Sequence, residues 1–454
     1  MISHIAAISS LLLGIAFFLT GNGLLNTLLQ LRGLSEGYTT TTIGLLMSAY
    51  YGGFFIGNWV DAPIIRRIGH IRSFALFASV AAIAVLLHIL LIDPWVWATL
   101  RIVYGIALIG LYMVVESWLN AQAPNSHRGR IFAVYMVANF LALATGQQLL
   151  RLDETLGFTV FAVAAMAMCA SLTPVMLTRR IQPTLPEKQT IGLRTLFRKA
   201  PLPLVASALS GLNTGAFWGM ASVYASMKNF STGEVATLMS MTILGGALLQ
   251  YPIGRISDRF DRRRVLFTVL CASALCSAII ALPLANHWLF ALFCLWGGLS
   301  FTVYPVSVAQ LIDQLKPEEI LAGSASLLLV NGVGAAFAPT LAGLLMQPFG
   351  ANALPLYFFT VIALLAAYTF YQIRFVRNKI AEPFAQFVPM VNTSTTALEM
   401  MPDPAPGSED NAPAASAQAA ETSTAADSPA EKDQSTATPL GDDASSGPAA
   451  EKTA

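Results

Sequence analysis

Gly57-Asn58-Trp59-Val60-Asp61, followed by Arg66, Arg67, Gly69 and Arg72, is matched 197 positions later by Gly254-Arg255-Ile256-Ser257-Asp258-Arg259, followed by Arg262, Arg263 and Arg264. Each stretch is a short charged loop between strongly apolar runs. In both, a glycine stands four residues before an aspartate and a cluster of arginines follows. A polar hinge written twice in a hydrophobic chain predicts two similar halves of membrane-spanning helices.

Composition supports a lipid environment. Of 454 residues, 55% are hydrophobic and 11% charged, with a mean hydropathy of +0.62; a soluble domain carries about 25% charge. The net charge of +1 averages two different objects. Residues 1–381 hold 24 Lys/Arg against 13 Asp/Glu, whereas residues 382–454 hold Lys432 and Lys452 against 12 acids. The four cysteines (Cys169, Cys271, Cys276, Cys294) lie in apolar runs without metal-ligand spacing, so no metal site is expected. The first apolar run lacks a basic leader and is long enough to span, so it is expected to stay as a helix.

Twelve windows satisfy the requirement for about 20 mostly apolar residues: 5–30, 41–60, 73–92, 95–119, 131–150, 157–177, 202–226, 235–254, 265–284, 288–311, 322–346 and 354–375. Threading them alternately through a bilayer puts 20 Lys/Arg on one side and only Arg32, Arg151 and Lys228 on the other. Positive charge stays in the cytoplasm, so both termini are expected there. Trp95, Trp97 and Trp288 begin spans four and ten at the opposite face, as interfacial anchors do. The halves match again within the spans: Tyr104-Gly105 and Tyr112 align with Trp296-Gly297 and Tyr304, and Asn139 with Asn331, all at an offset of 192.

The predicted fold is all-α, with twelve transmembrane helices in two pseudo-symmetric six-helix bundles. Residues 1–178 form the first bundle, 179–200 a cytoplasmic linker, 201–378 the second bundle and 379–454 an acidic Ala/Pro/Ser/Thr-rich tail. Too little of that tail is apolar to offset ordering entropy, and it is expected to be disordered. Asn392-Thr393-Ser394 spells a glycosylation acceptor, but on the cytoplasmic side that match is chance.

Twelve spans, a basic central linker and the repeated Gly-x3-Asp-Arg loop resemble the major facilitator superfamily over roughly residues 5–378. The second loop is the cleaner copy, because Ala62 and Pro63 follow Asp61 where an arginine is usual. Val115-Glu116-Ser117, Arg128-Gly129-Arg130, Tyr251-Pro252-Ile253-Gly254-Arg255 and Phe301-Thr302-Val303-Tyr304-Pro305 further resemble its bacterial YcaD-like branch. The resemblance implies alternating access, with two bundles rocking about a central cavity lined by spans one, four, seven and ten. It also implies that Gly57, Asp61, Arg66, Arg67 and Arg72, with Gly254, Asp258, Arg259, Arg262 and Arg263, form gating loops. An aspartate there can accept backbone N–H groups or arginines of the other bundle and latch one side shut.

Arg101 is the one basic residue well inside a span. An unpaired arginine in lipid is costly, so one reading is an anion or carboxylate contact and the other a snorkelling or structurally paired side chain. The superfamily often places an arginine here, with a glycine-spaced stretch (Gly105, Gly110) behind it. Glu116 is the carboxylate clearly inside a span. It reads as a proton-coupling group whose proton affinity follows its desolvation, or as a partner for the loop arginines. Asn22 and Asn26 share a helix face. With Gln147, Asn213, Trp218, Tyr304 and Asn331 they either line a cavity or hydrogen-bond between helices. Gly211, Gly215 and Gly219 make a small-residue stripe for close packing.

No nucleotide-binding Gly-x4-Gly-Lys-Ser/Thr loop and no catalytic or metalloprotease motif occurs in the chain. The expectation is therefore a monomeric, non-enzymatic secondary transporter without cofactor, moving a small organic solute with a co-transported proton and binding no nucleic acid. An ion-independent facilitator, and a non-transporting membrane receptor or scaffold acting through its tail, are the alternatives.

Overall fold

The described residues of the computed structural model are 2–122, 128–176, 192–376, Phe387 and Met390. The tail beyond Met390, linker residues 179–191 and the side chains of Arg128 and Arg130 lie outside them, as do the expectations placed there. Fifteen α-helices occur among the described residues. The first seven are α1 (Ile2–Ser35), α2 (Thr40–Ile68), α3 (His70–Leu90), α4 (Pro94–Gln122), α5 (Arg128–Gln148), α6 (Phe158–Ala170) and α7 (Leu172–Met176). After the short linker helix α8 (Leu193–Lys199) come α9 (Pro201–Met227), α10 (Thr232–Ser257), α11 (Arg262–Ile280) and α12 (Asn286–Ser300). The last three are α13 (Val303–Ile312), α14 (Pro317–Phe349) and α15 (Ala353–Phe375).

Helices are what this composition dictates, since lipid offers no partner for backbone N–H and C=O groups and a helix satisfies them within the segment. Each of the twelve expected spans falls on one helix or on a broken pair, α6/α7 and α12/α13. Ten of the helical segments are long and apolar enough to cross a membrane; α2 and α9 fall short of that measure. Both carry much Gly, Ser, Thr and Asn; α9 is largely enclosed by protein, while α2 also exposes Leu45, Ile56, Trp59 and Val60. Helix α2 lies against α4 and α14, and α9 against α14, α15, α13 and α1. A helix shielded from lipid needs less apolar surface.

The break in span ten is written in Pro305. Proline cannot donate to the carbonyl four residues back, and its ring crowds that position. The Phe301 carbonyl is thus released from the helix ladder and accepts instead from Gln250 Nε2 at 3.4 Å.

Close glycine crossings show the internal duplication in three dimensions. A Cβ on Gly53 would stand 2.0 Å from the Ile102 carbonyl oxygen, and one on Gly105 2.2 Å from that of Tyr50. In the second half, a Cβ on Gly245 would stand 2.0 Å from the Cys294 oxygen, and one on Gly297 2.3 Å from that of Thr242. All four positions of the α2/α4 contact recur in α10/α12 at the offset of 192. The α1/α5 contact recurs in α9/α14 at a different offset, 188: Gly23 on Leu143 matches Gly211 on Asn331, and Gly146 on Thr20 matches Gly334 on Ala208. Asn331 therefore corresponds to Leu143 rather than to Asn139, because the segments between these helices differ in length by four residues.

The molecule has an arginine-rich end, with Arg66, Arg67, Arg255 and Arg262–Arg264, and an arginine-poor end, with residues 36–39, 149–157 and 228–231. Trp95 and Trp288 are exposed at the arginine-poor starts of α4 and α12. Trp97 instead turns inward and donates from Nε1 to the His88 carbonyl at 2.9 Å. His88 is itself buried, with Nδ1 2.6 Å from the Ala84 carbonyl.

Candidate functional site

All hydrogen bonds between the two bundles found among the described residues lie in the arginine-poor half. Along α2/α14, Thr40 Oγ1 donates to the Gly343 carbonyl at 2.9 Å, Ser48 and Thr340 share a hydroxyl contact at 2.7 Å, and Thr41 bonds Gln347. Along α5/α10, Gln148 Nε2 donates to the Ala236 carbonyl at 3.1 Å and to Ser240 Oγ at 2.7 Å. Ser240 Oγ donates in turn to the Ala144 carbonyl at 2.9 Å. Arg151, on the 3-10 turn after α5, donates from Nη2 to the Gly233 carbonyl at 3.0 Å and to Thr237 Oγ1 at 2.6 Å. Along α1/α9, Gln30 Nε2 donates to the Trp218 carbonyl at 2.8 Å, and Ser222 Oγ donates to Gln30 Oε1 at 2.6 Å. Small residues make this seam tight: a Cβ on Gly44 would stand 2.4 Å from the Pro339 carbonyl oxygen.

Beneath the seal sits Arg101, about 10 Å along α4 from its first turn at 1.5 Å per residue. It is 1% exposed. Its Nη2 donates to Asn26 Oδ1 at 2.8 Å and reaches Met47 Sδ at 3.6 Å. The guanidinium lies over Tyr50, 4.5 Å from the ring centroid, and 5.6 Å from that of Tyr104. Tyr104 donates to Asn22 Oδ1 at 2.9 Å, and Asn26 Nδ2 donates to the same oxygen at 3.4 Å. Arg101, Asn22 and Asn26, expected from the sequence, thus form one connected network, to which the structure adds Tyr50, Tyr104 and Met47. Arg101 Nε and Nη1 have no protein partner. Met47 carries the contact to the second bundle, where a Cβ on Gly219 of α9 would stand 3.3 Å from its Cβ.

The second bundle supplies Trp218, whose ring stacks on Phe301 with centroids 6.1 Å apart and planes at 11°. The helix break at Pro305 leaves Phe301 free to turn toward α9. Asn213 Oδ1 and Tyr304 Oη are buried without a protein partner, as are both polar atoms of Gln310. Asn331 donates to the Ser207 carbonyl at 2.9 Å. Gln147 accepts from Thr27 at 2.7 Å and donates to the Gly23 carbonyl at 2.8 Å, so both its polar groups serve the α1/α5 contact.

Glu116 lies well away from the Arg101 network, toward the arginine-rich end of α4. It is fully buried and accepts from Tyr135 Oη of α5 at 2.9 Å. Gly57 packs on Ile109 of α4, with Asp61 buried one turn beyond, while Arg66, Arg67 and Arg72 are exposed. In the second loop Asp258 pairs with Arg262 at 3.1 Å, and buried Arg262 also meets Asp313 at 2.7 Å. Arg263 Nη1 donates to the Val376 carbonyl at 3.2 Å, and Arg259 is exposed. Among the described residues, the side chain of Asp258 meets Arg262 and the backbone N–H of Phe387.

Sequence reasoning missed Gln30, which extends the i, i+4 stripe of Asn22 and Asn26 by one turn. It missed Arg151, whose loop position carried no mark beyond its sign. It also missed Tyr50 and the Ser48/Thr340 pair, since hydroxyl-bearing residues in spans are too common to stand out.

A model of the Major Facilitator Superfamily matches the chain twice, over residues 11–203 and 203–399. Relatives described as the uncharacterized MFS-type transporter YcaD include that of Escherichia fergusonii, 29% identical over 350 residues, covering 76% of this chain and 90% of the relative. That of Escherichia coli is 29% identical over 361 residues, covering 78% and 92%. Among solved structures, the nucleoside transporter NupG superimposes with a TM-score of 0.68 at 14% identity, covering 83% of this chain and all of that one. A bacterial homolog of the human lysosomal transporter Spinster, in an inward-facing and occupied conformation, gives a TM-score of 0.66 at 14% identity, covering 83% and 98%. These two structures share the fold. With the matched halves, the duplicated crossings and the spanning helices, they place the conclusion beyond the resemblance: the chain belongs to the Major Facilitator Superfamily of membrane transporters.

Proposed function

We propose that the protein is a proton-coupled secondary transporter that moves a small anionic or zwitterionic organic solute across a bacterial inner membrane by alternating access. Residues 1–178 and 201–378 are the two moving bundles, and the arginine-rich end is cytoplasmic, as charge asymmetry requires. The carrying observation is Arg101, a buried guanidinium held on one side by Asn26 and Tyr50 and left with two unpartnered N–H edges beneath a sealed seam. An anionic oxygen could accept from either of those donors. Asn213 and Tyr304, also holding unpartnered polar atoms, supply the second bundle's share of the site.

Glu116 is the coupling carboxylate in this reading. It is the fully buried carboxylate of α4, held by Tyr135 of α5, and coupling requires that solvent reach it in one state of the cycle and not in the other. A thermal-shift screen of the purified protein against metabolites identifies the solute; the stabilising hit should vanish in Arg101→Ala and Asn213→Ala. With that solute in proteoliposomes, Glu116→Gln should abolish transport driven by a pH gradient and spare exchange of labelled for unlabelled solute. Normal gradient-driven flux in Glu116→Gln would remove the coupling role, and a hit that persists in Arg101→Ala would remove the site.

A further inference from the structure

The arginine-rich end of α10 carries a docking contact. The backbone N–H of Phe387, beyond the last helix, donates to Asp258 Oδ1 at 2.9 Å. Three residues later the Met390 carbonyl accepts from Gln250 Nε2 at 3.3 Å, and Met390 is buried. Gln250, Gly254 and Asp258 are successive i, i+4 positions and form one stripe. Gly254 is the keystone: a Cβ there would stand 2.1 Å from Phe387 Cδ1, so only glycine admits the ring. Gly57, which shares the loop spelling, meets Ile109 of its own bundle, while the offset of 192 places Ala62 opposite Gly254.

The direction of this stripe gives the contact its meaning. At about 100° per residue in an α-helix, Gly254 points within about 40° of Ser240, and Asp258 points the same way as Ser240. Ser240 is the residue that bonds Ala144 of α5 across the seam at the other end. The face of α10 that meets α5 when the bundles close is therefore covered, at the arginine-rich end, by Phe387 and Met390. We propose, resting on the alternating-access reading above, that Phe387 and Met390 act as an intramolecular wedge that binds the Gln250–Gly254–Asp258 stripe and holds α5 and α10 apart at the arginine-rich end. Closing that end requires the wedge to leave, so the segment biases the transporter toward one side of its cycle, a population shift set by its differential affinity for the two states.

The test reads distance rather than flux and so stands apart from any solute. Spin labels on Ile131→Cys in α5 and Arg255→Cys in α10, with the four native cysteines replaced by serine, report the cleft in the full-length protein in lipid. Phe387→Ala, and separately truncation after Lys379, should each raise the short-distance population by about threefold or more, the size expected of a wedge binding one state by under 1 kcal/mol. Phe387→Leu keeps an apolar wedge and should match the parent. Unchanged distances in both Phe387→Ala and the truncation, or a shift toward longer ones, would overturn the proposal. So would Phe387→Leu behaving like the truncation.

Discussion

Arg101 shows how a single side chain can be placed against stability. Its aliphatic stem and guanidinium are fully enclosed, one nitrogen is satisfied by Asn26, and the ring of Tyr50 lies 4.5 Å away. A desolvated cation–π contact contributes about 2 kcal/mol, whereas each buried unmade donor costs about 1–3 kcal/mol. With Nε and Nη1 both lacking a protein partner, the sums are close to balanced, and the ligand-free fold gains little from the charge. Arg101→Met, similar in volume and apolar, is therefore expected to leave the melting temperature in detergent unchanged or raised, while removing solute-induced stabilisation. If Arg101 were instead a structural partner, losing it would cost about 3–5 kcal/mol and the melt would drop. The same reasoning separates Gln147 from its neighbours: with both polar ends engaged between α1 and α5, it belongs to helix packing. A sequence shows an amide in a span, but not whether the amide is satisfied.

At the scale of elements, the fold depends on helices that approach closer than side chains allow. Gly52 and Gly53 are chain neighbours in α2, yet a Cβ on Gly52 would meet nothing within 4 Å while one on Gly53 would stand 2.0 Å from the Ile102 oxygen. Gly53→Ala must push α2 off α4, and overpacking of this kind costs about 1–3 kcal/mol. Gly245→Ala, at the duplicated contact on Cys294, should cost the same. Gly52→Ala only improves helix propensity, by up to about 1 kcal/mol, and should be neutral or stabilising. Thermal melts of the three variants decide it, and equal effects for Gly52 and Gly53 would sink the crossing account. The helices themselves are legible, because lipid demands an apolar window of fixed length. Each of the twelve windows falls on a helix or a broken pair, and ten of these are long and apolar enough to cross a membrane. Position within the bundle is less legible. Helix α9 reads as an ordinary span although neighbouring helices enclose most of it. The break after Ser300 was foreshadowed by Pro305 but read through as one continuous span. The offset of 192 held for α2/α4 and α10/α12 and failed for Asn331, since residue letters align more easily than contacts do.

At the scale of the whole molecule, the two ends differ in how the halves are joined, and that difference is the structural basis of one-sided access. The arginine-poor end is stitched along three helix pairs, α1/α9, α2/α14 and α5/α10, by bonds that are mostly hydroxyl or amide contacts of neutral groups. Each such bond contributes about 0.5–1.5 kcal/mol net, so the seam is weak enough, bond by bond, to open within a transport cycle. The charged groups cluster at the other end, where Arg262 pairs with Asp258 and Asp313 of its own half. If opening proceeds by parting α2 from α14, a short thiol cross-link between Thr41→Cys and Gln347→Cys, residues that already bond each other, must hold the molecule in the sealed state. Met47→Cys, placed just beneath the seam in a background without native cysteines, then reports access. Alone, it should react with an impermeant maleimide added to the arginine-poor side. With the cross-link in place it should not, while reaction from the arginine-rich side should persist. Undiminished labelling from the arginine-poor side in the cross-linked protein would mean that solute enters by a path other than this seam, and the two-bundle rocking motion would no longer follow from the fold.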